Sequence, residues 1–369
     1  MRVALVPATS TQYGVPAMEC GGDRLAEMTG ASGETASNTY YPGIGALRGI
    51  AALLVVVEHG GLFATQAVGL PHTALLRIDF GALGVLTFFL ISGFVIGLNR
   101  HLPTREFVLR RALRIYPAFW AAYALSAAIV LLADKRTGFS LSALLLWPQT
   151  GYPTNIYLVY WTLVFEVFFY ALAAAVFALR LSDRTLTILA LSWMLVIQTM
   201  YPYMTGMRPL LPGALIPVAQ YNLFFALGLI CALNFGRLSA IGLEYLLAFA
   251  VAMTALLPLL PPTPHVTTFL VLGLGLAAIL LVFTKLDRWP RFALVLGNAS
   301  YGVFLLHYAP IVVAAALLAG QGYSPGVLWP LMVLIGLAVG VPFGLAEFAF
   351  HRAALRAVLR AVRPPPAAQ

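Results

Sequence analysis

Two polar side chains, Arg48 and His59, lie in the first long apolar run, within the segment LRGIAALLVVVEHG. Eleven helical positions amount to three turns plus about 20°, so both side chains share one helix face and are about 16 Å apart. An ionisable residue inside a membrane span is costly and usually functional, and a histidine there can act as a general base or carry an acyl group. The alternatives are that Arg48 is an anchor at the membrane edge and that His59 is a core histidine bonded to a carbonyl.

A carboxylate that can orient His59 is Glu166, in the segment WTLVFEVFFY. Each of the two residues is near the outer end of its run, so we expect a shared depth and a Glu166 that holds the imidazole in the tautomer required of a base. The alternative is a protonated Glu166 bonded to a facing helix. Glu58 is adjacent to His59 and about 100° away around the helix, which makes it a candidate for a relay or for the acceptor site.

A cluster of arginines begins the third run, in the segment FVLRRALRIYP. Arg111 and Arg114 are three positions apart and therefore share a helix face, with Arg110 beside them. Guanidinium groups bind phosphates with two parallel hydrogen bonds, and coenzyme A carries several phosphates. The cluster is therefore a candidate site for an acyl donor, and the alternative is a topology signal.

Three further positions stand out inside apolar runs. His307, in LGNASYGVFLLHYAP, is predicted at mid-membrane and is a second candidate for a relay or for the acceptor site. Ser92 and Gly93 are small residues at which an acyl chain of the donor, or simply another helix, can approach closely. Glu347 is followed by His351 and Arg352, and this cluster is expected to be structural and to pair with a basic loop.

The composition is that of a chain dissolved in lipid. Hydrophobic residues make up 61% of the chain, charged residues make up 9%, and the mean hydropathy is +0.90. The net charge of +9 resides in short gaps between apolar runs, so it predicts membrane topology and no nucleic-acid partner. Cys20 and Cys231 are the only cysteines, which predicts neither a disulfide framework nor a cysteine metal site, and no metal site is expected.

The apolar runs predict an all-α, polytopic integral membrane protein with about ten transmembrane helices, since each run can cross about 30 Å of hydrocarbon. They cover approximately residues Gly45–Thr65, Phe80–Leu98, Ile115–Ala133, Leu158–Leu179, Leu186–Tyr203, Pro217–Phe235, Ile241–Leu260, Val266–Thr284, Ala299–Ala319 and Val327–Phe348. One short run is a candidate re-entrant segment.

The distribution of basic residues predicts that both termini are cytoplasmic. The inner side would receive Arg100, Arg105, Arg110, Arg111, Arg114, Arg180, Arg184, Arg237, Lys285, Arg288, Arg291, Arg352, Arg356, Arg360 and Arg363, and the outer side only Arg77, Lys135, Arg136 and Arg208. Residues 1–39 are polar and small and lack the pattern of a signal peptide, so a disordered tail is expected, with Met18 or Met28 as alternative starts. Residues 364–369 form a C-terminal tail.

Several other classes of protein lose their main support. The chain has no Gly-rich phosphate loop, no H-E-x-x-H and no G-x-S-x-G, which argues against an NTPase, a zincin and an α/β-hydrolase. No internal repeat is evident, which weakens a transporter built from inverted halves.

Taken together and in this order, the segments resemble the acyltransferase-3 family. The first-helix pair Arg48 and His59, the Ser-Gly-Phe beginning at Ser92, the arginine motif RRALRIYP, the Trp-to-Glu segment ending at Glu166 and the late segment with His307 carry the resemblance, which extends from about Tyr41 to Arg363. Each motif is weak alone, and the five in register are specific. Glu58 beside the histidine and the single acid at Glu166 depart from the pattern.

The resemblance implies an acyltransferase domain over about residues 40–363 that moves an acyl group, most often acetyl, from cytoplasmic acyl-CoA to a hydroxyl of a carbohydrate or glycolipid acceptor. It implies a multi-pass protein of the bacterial inner membrane, with acyl-CoA as co-substrate, no tightly bound cofactor and lipid around it. Under this hypothesis Arg48, Arg111 and Arg114 hold the donor, His59 is the base and Glu166 orients it. The alternative function is a transporter or flippase of a glycan or lipid-linked substrate.

Overall fold

The structure is a computed structural model that describes residues 41–75, 78–133, 136–148, 158–204, 213–260 and 265–362. The predicted tails at 1–39 and 364–369 lie outside the described residues, as do Arg77, Lys135, Arg208 and Arg363. Where the structure describes the chain, every regular element is helical and there is no strand, which confirms the all-α prediction.

The α-helices follow the apolar runs of the sequence closely. They are α1 (Pro42–Ala67), α2 (Phe80–Leu98), α3 (Thr104–Leu132), α4 (Leu141–Leu144), α5 (Trp161–Ala178), α6 (Asp183–Met204), α7 (Asn222–Leu233), α8 (Phe235–Leu238), α9 (Leu243–Leu256), α10 (Val266–Thr284), α11 (Arg291–Leu306), α12 (Tyr308–Leu318) and α13 (Pro325–Val362). Short 3₁₀ turns cover His72–Ala74, Gly213–Val218 and Leu257–Leu259.

Six of the described helices are long and apolar enough to cross a membrane, or seven if the bent pair α11 and α12 counts as one span. The predicted count of ten is therefore not confirmed. Two of the ten runs form shorter apolar helices, Asn222–Leu233 and Leu243–Leu259. Before α7, the predicted run is interrupted by a 3₁₀ turn that contains Pro217, whose missing N–H does not support a continuous α-helix.

Helix α1 packs directly against α2, α11, α12 and α13, which places the Arg48 and His59 face inside the bundle. Glycines make the closest crossings possible. A Cβ on Gly297 of α11 would lie 2.4 Å from the Gly45 carbonyl oxygen of α1, and a Cβ on Gly93 of α2 would lie 2.0 Å from the Phe225 carbonyl oxygen of α7. Small residues at these positions therefore set how near the helix backbones approach each other.

Replacing Gly93 with Ala should lower the melting temperature of the detergent-solubilised protein, because the added methyl group forces α2 and α7 apart at a cost of about 1–3 kcal/mol. Gly326→Ala is the matched control, since a Cβ there meets nothing within 4 Å. Thermal unfolding followed by size-exclusion chromatography measures both variants. Equal melting temperatures for Gly93→Ala and wild type would show that α2 and α7 are not tightly packed at this crossing.

Basic residues of the described chain, among them Arg100 and Lys285, collect at one end of the bundle, which we name the basic end. Arg100, after α2, donates to both carboxylate oxygens of Asp183 at the start of α6, at 2.7 and 2.6 Å. Lys285, after α10, donates to the Ser239 carbonyl at 2.6 Å. These contacts join helix ends that the charge pattern assigns to one side of the membrane.

The segment 136–148 folds back along α3. Three ring groups of α3 donate hydrogen bonds to its backbone carbonyls, Tyr116 to Leu145 at 3.4 Å, Trp120 to Leu144 at 3.0 Å and Tyr123 to Gly138 at 2.9 Å. Tyr116 is about 24 Å of helix rise before the last residue of α3, so the segment reaches far down the helix. Non-helical backbone at membrane depth needs such protein partners.

Candidate active site

His59 of α1 pairs with His307, and this contact is the centre of the candidate site. His59 Nδ1 lies 3.0 Å from His307 Nε2, and His307 Nδ1 lies 2.9 Å from the Val303 carbonyl oxygen. A carbonyl can only accept, so His307 Nδ1 carries the proton and, in a neutral ring, His307 Nε2 is an acceptor. His59 Nδ1 therefore donates, and His59 Nε2 keeps a lone pair that can take a proton.

A break between α11 and α12 carries His307 into this position. The two helices meet at an angle of 58°, and His307 is the residue between them. Pro310, in the first turn of α12, explains the bend, because it lacks the N–H that would bond the Leu306 carbonyl and its ring clashes with that turn. His307 is fully buried at the bend.

Aromatic residues fix α1 at the level of the histidine pair. The ring of Tyr308 meets that of His59 edge-on, with 5.0 Å between centroids. Trp329 of α13 donates from Nε1 to the Val57 carbonyl at 2.9 Å, one residue before Glu58. Because rotamers locked by packing hold a reactive group in place, these contacts support a fixed His59 ring.

Glu58 contacts the first residue of α2 and a histidine of the 3₁₀ turn before it. Its Oε2 accepts from the Phe80 N–H at 3.0 Å, and its Oε1 lies 2.9 Å from His72 Nε2. The first N–H groups of a helix have no partner within the helix, so this buried carboxylate satisfies one of them. Although Glu58, His59 and His72 are neighbours here, the described residues contain no group of three ligands that could hold a metal ion.

At the basic end, Arg114 of α3 is held from two sides. Its Nη1 donates to Glu347 Oε1 of α13 at 3.0 Å, and its guanidinium lies 4.4 Å from the ring centroid of Tyr301. The Tyr301 hydroxyl donates to the Ile115 carbonyl at 3.3 Å, which fixes the ring in turn. Glu347, which the sequence suggested as a structural residue, thus pairs with a predicted donor-binding arginine.

Within the described ranges, Arg111 and Arg48 form no ion pair with a carboxylate. Arg111 lies between the rings of Phe107 and Tyr170, 5.4 and 5.3 Å from their centroids, and its buried Nε has no hydrogen-bond partner. Arg48 is half-buried and makes no hydrogen bond to any residue of the described chain. A half-buried guanidinium whose N–H groups have no acceptor in the described chain is costly, so these two groups favour an anion as ligand.

Glu166 belongs to this arginine cluster. It accepts a hydrogen bond from the Tyr170 hydroxyl, one turn later on α5, and the Tyr170 ring lies 5.3 Å from the Arg111 guanidinium. Among the described residues no hydrogen bond or ion pair joins Glu166 to His59. The predicted shared depth of the two residues and the orienting role of Glu166 stay predictions.

The remaining predicted donor-site residues lie on α2. Gly93 faces the α7 backbone, so the face that an acyl chain would approach is occupied by a helix, and the packing alternative is favoured for Gly93. Ser92 is half-buried, and its hydroxyl makes no hydrogen bond to any residue in the described ranges. Contact of Ser92 with a donor stays a prediction.

Sequence reasoning selected His307 without its partner and assigned Glu347 to a structural pairing with a basic loop. Run lengths gave no signal for the histidine pair, because His59 lies near the outer end of its apolar run whereas His307 lies in the middle of its own. A signal for Glu347 was available, since a carboxylate near the inner end of the last run faces a bundle with excess arginine.

Comparison with known proteins agrees with these features. The family model Acyl_transf_3, described as an acyltransferase domain, matches residues 41–346. No curated protein and no solved structure matches the chain. Because the matched region covers most of the chain and nearly all of the described helices, the protein belongs to the acyltransferase-3 family and is a multi-pass membrane acyltransferase.

Proposed function

We propose that the protein transfers an acyl group, preferably acetyl, from acyl-CoA to a hydroxyl of a carbohydrate or related acceptor. The observation that carries the proposal is the pairing of His59 with His307, which leaves His59 Nε2 as a base. On the same helix face, about 16 Å away, is the unpaired cation Arg48. One helix thus joins a base to a site for an anionic donor.

The donor's phosphates bind Arg48 and Arg111 at the basic end, which faces the cytoplasm of a bacterial inner membrane in this proposal. Arg114 is already paired with Glu347, so Arg114 contributes to the shape of the site and to its positive electrostatic field. Glu166 keeps Tyr170 in place beside Arg111, which is a role at the donor end rather than at the base. The thioester arm then extends along α1 toward His59.

In the transfer step, His59 Nε2 takes the proton of the acceptor hydroxyl while the acceptor oxygen attacks the thioester carbonyl. The new C–O bond forms, the C–S bond breaks, and coenzyme A leaves as a thiol with the proton that His59 returns. His307 Nε2 accepts from His59 Nδ1 throughout and so stabilises the imidazolium. A variant in which His59 carries the acyl group first gives the same products.

Purified protein in lipid nanodiscs should release free coenzyme A from acetyl-CoA when a hydroxylated acceptor is present, as measured with a thiol-reactive chromophore. Mass spectrometry of the acceptor should show the added acetyl ester. A transporter or flippase would instead move its substrate across vesicles without releasing thiol. Within the described residues one bent helix pair is present, whereas an inverted-repeat transporter would place broken helices in both halves.

A further inference from the structure

A cluster of aromatic rings lies where α5 and α7 begin, at the opposite end of these helices from the basic end. Trp161 is the first residue of α5, and Tyr221 directly precedes α7. Their ring centroids are 5.2 Å apart, and both rings also contact Phe89 of α2 and Phe165 of α5, at centroid distances between 5.5 and 6.4 Å. The two residues with polar tips therefore form one side of a continuous aromatic wall.

The polar tips of this wall have no hydrogen-bond partner among the residues that the structure describes. Trp161 and Tyr221 are half-buried, and neither the indole N–H nor the hydroxyl bonds any residue of the described chain. A buried Trp or Tyr normally finds a hydrogen-bond partner. The other half-buried or packed indoles do so, since Trp193 and Trp329 donate to the carbonyls of Pro217 and Val57.

Two carboxylates stand at the start of α2, the helix that carries Phe89 of the wall. A Cβ on Gly81 would lie 2.9 Å from Glu58 Cγ and 3.4 Å from Asp79 Oδ1, so Asp79 and Glu58 are neighbours. Asp79 uses Oδ1 to accept from the Ala82 N–H at 2.7 Å, which leaves Oδ2 for another donor. Glu58, whose Oε1 lies 2.9 Å from His72 Nε2, directly precedes His59. Polar groups therefore extend from the start of α2 to the histidine pair.

This combination fits one class of ligand. Aromatic faces pack against the C–H face of a saturated ring, an indole N–H donates to a ring hydroxyl, and a phenol oxygen and a carboxylate accept from hydroxyls. The carboxylates of Asp79 and Glu58 repel an anion, in contrast to the arginines of the basic end. The chemistry is that of a neutral, hydroxyl-rich ring such as a sugar unit.

We propose that Trp161 and Tyr221 bind a neutral hydroxylated ring of the acceptor, so that a neighbouring hydroxyl reaches His59. The proposal rests on the proposed function, because it assigns the acceptor side of the same reaction. It makes these residues determinants of acceptor affinity and leaves donor binding to the arginines.

The test varies the acceptor and the donor separately. The acceptor probe is the carbohydrate extract of cells that carry the inactive His59→Ala protein, so its hydroxyls are unacylated, and the donor is radiolabelled acetyl-CoA. Tyr221→Phe keeps the ring and removes only the hydroxyl, whereas Trp161→Phe keeps an aromatic ring and removes the indole N–H with its five-membered ring. Loss of one hydrogen bond should raise the apparent KM for the extract about three- to tenfold with an unchanged KM for acetyl-CoA.

Trp147→Phe is the matched control, because Trp147 is 68% exposed and far more solvated than Trp161. An unchanged KM for the extract in both Trp161→Phe and Tyr221→Phe would overturn the binding site while the proposed function stands. An equal rise in the KM for the extract and in the KM for acetyl-CoA would also overturn it, because the residues would then support only the fold. If wild type transfers no label to the extract and His59→Ala changes nothing, the proposed function itself fails.

Discussion

We expect His59→Ala to lower acyl transfer by at least about 10²–10⁴-fold, the range that a positioned general base contributes. The loss should appear in kcat, because the proton acceptor is needed only during the transfer step. Thiol release from acetyl-CoA in the presence of acceptor measures it. The size of the effect follows from the tautomers, since His59 Nε2 is the nitrogen left unprotonated by the contact with His307.

His59→Asn separates the base from the fold. The amide nitrogen of Asn can replace Nδ1 as the donor to His307 Nε2, so packing is kept while the basic nitrogen is lost. This variant should be as inactive as His59→Ala and should melt at the wild-type temperature. His101→Ala, at an exposed position after α2, is the control and should keep full activity. Full activity of His59→Asn would eliminate His59 as the base.

The second large effect is expected at Arg48. Arg48→Gln should raise the KM for acetyl-CoA about ten- to a hundredfold, because a hydrogen bond to a charged group contributes about 1.5–3 kcal/mol. The value of kcat should change less than KM, since the guanidinium is expected to hold the donor equally before and during transfer. Steady-state kinetics over a range of acetyl-CoA concentrations measure both constants.

Arg110→Gln is the control for this experiment. Arg110 is also half-buried at the basic end, but it donates to Glu106 at 2.9 Å and so has its own partner. Its replacement should leave the KM for acetyl-CoA nearly unchanged. If Arg48→Gln alters expression and membrane insertion but not KM, Arg48 is the topology anchor that the sequence also allowed.

The relation between Arg48 and His59 could be predicted from the sequence because it depends on one helix only. Helical periodicity fixes the angle and the rise between two positions of α1, and no tertiary contact changes them. The same holds for Arg111 and Arg114 at the start of α3. Local geometry therefore gave the candidate donor end and the candidate base without knowledge of the bundle.

Contacts between helices were harder to predict, and Glu166 shows why. Its depth was inferred from the ends of apolar runs, but its contacts depend on which helix packs beside α5, and here Phe107 of α3 packs against Tyr170 and Phe177 of α5. Hydropathy is nearly constant along such a run and does not encode these partners, so an orienting role of Glu166 at His59 stays a prediction. The partner of His59 came instead from α11 and α12, where a proline break determines the position of His307.

The number of spans was uncertain for a related reason. A hydropathy window joins consecutive apolar residues whatever their backbone conformation, so it merged the turn around Pro217 with α7. Gly93 illustrates the same limit at a single residue, since its small size fits either a ligand or a helix and only the position of α7 decides.

The segment 136–148 has a practical consequence for work on this protein. Reporter enzymes and epitope tags are commonly inserted into the connections between spans, because exposed loops tolerate insertions. Here the connection after α3 supplies carbonyls to Tyr116, Trp120 and Tyr123, so an inserted tag would break these hydrogen bonds and the reporter would describe a damaged protein. The short turn between α2 and α3, at residues 99–103, is the safer place for a tag.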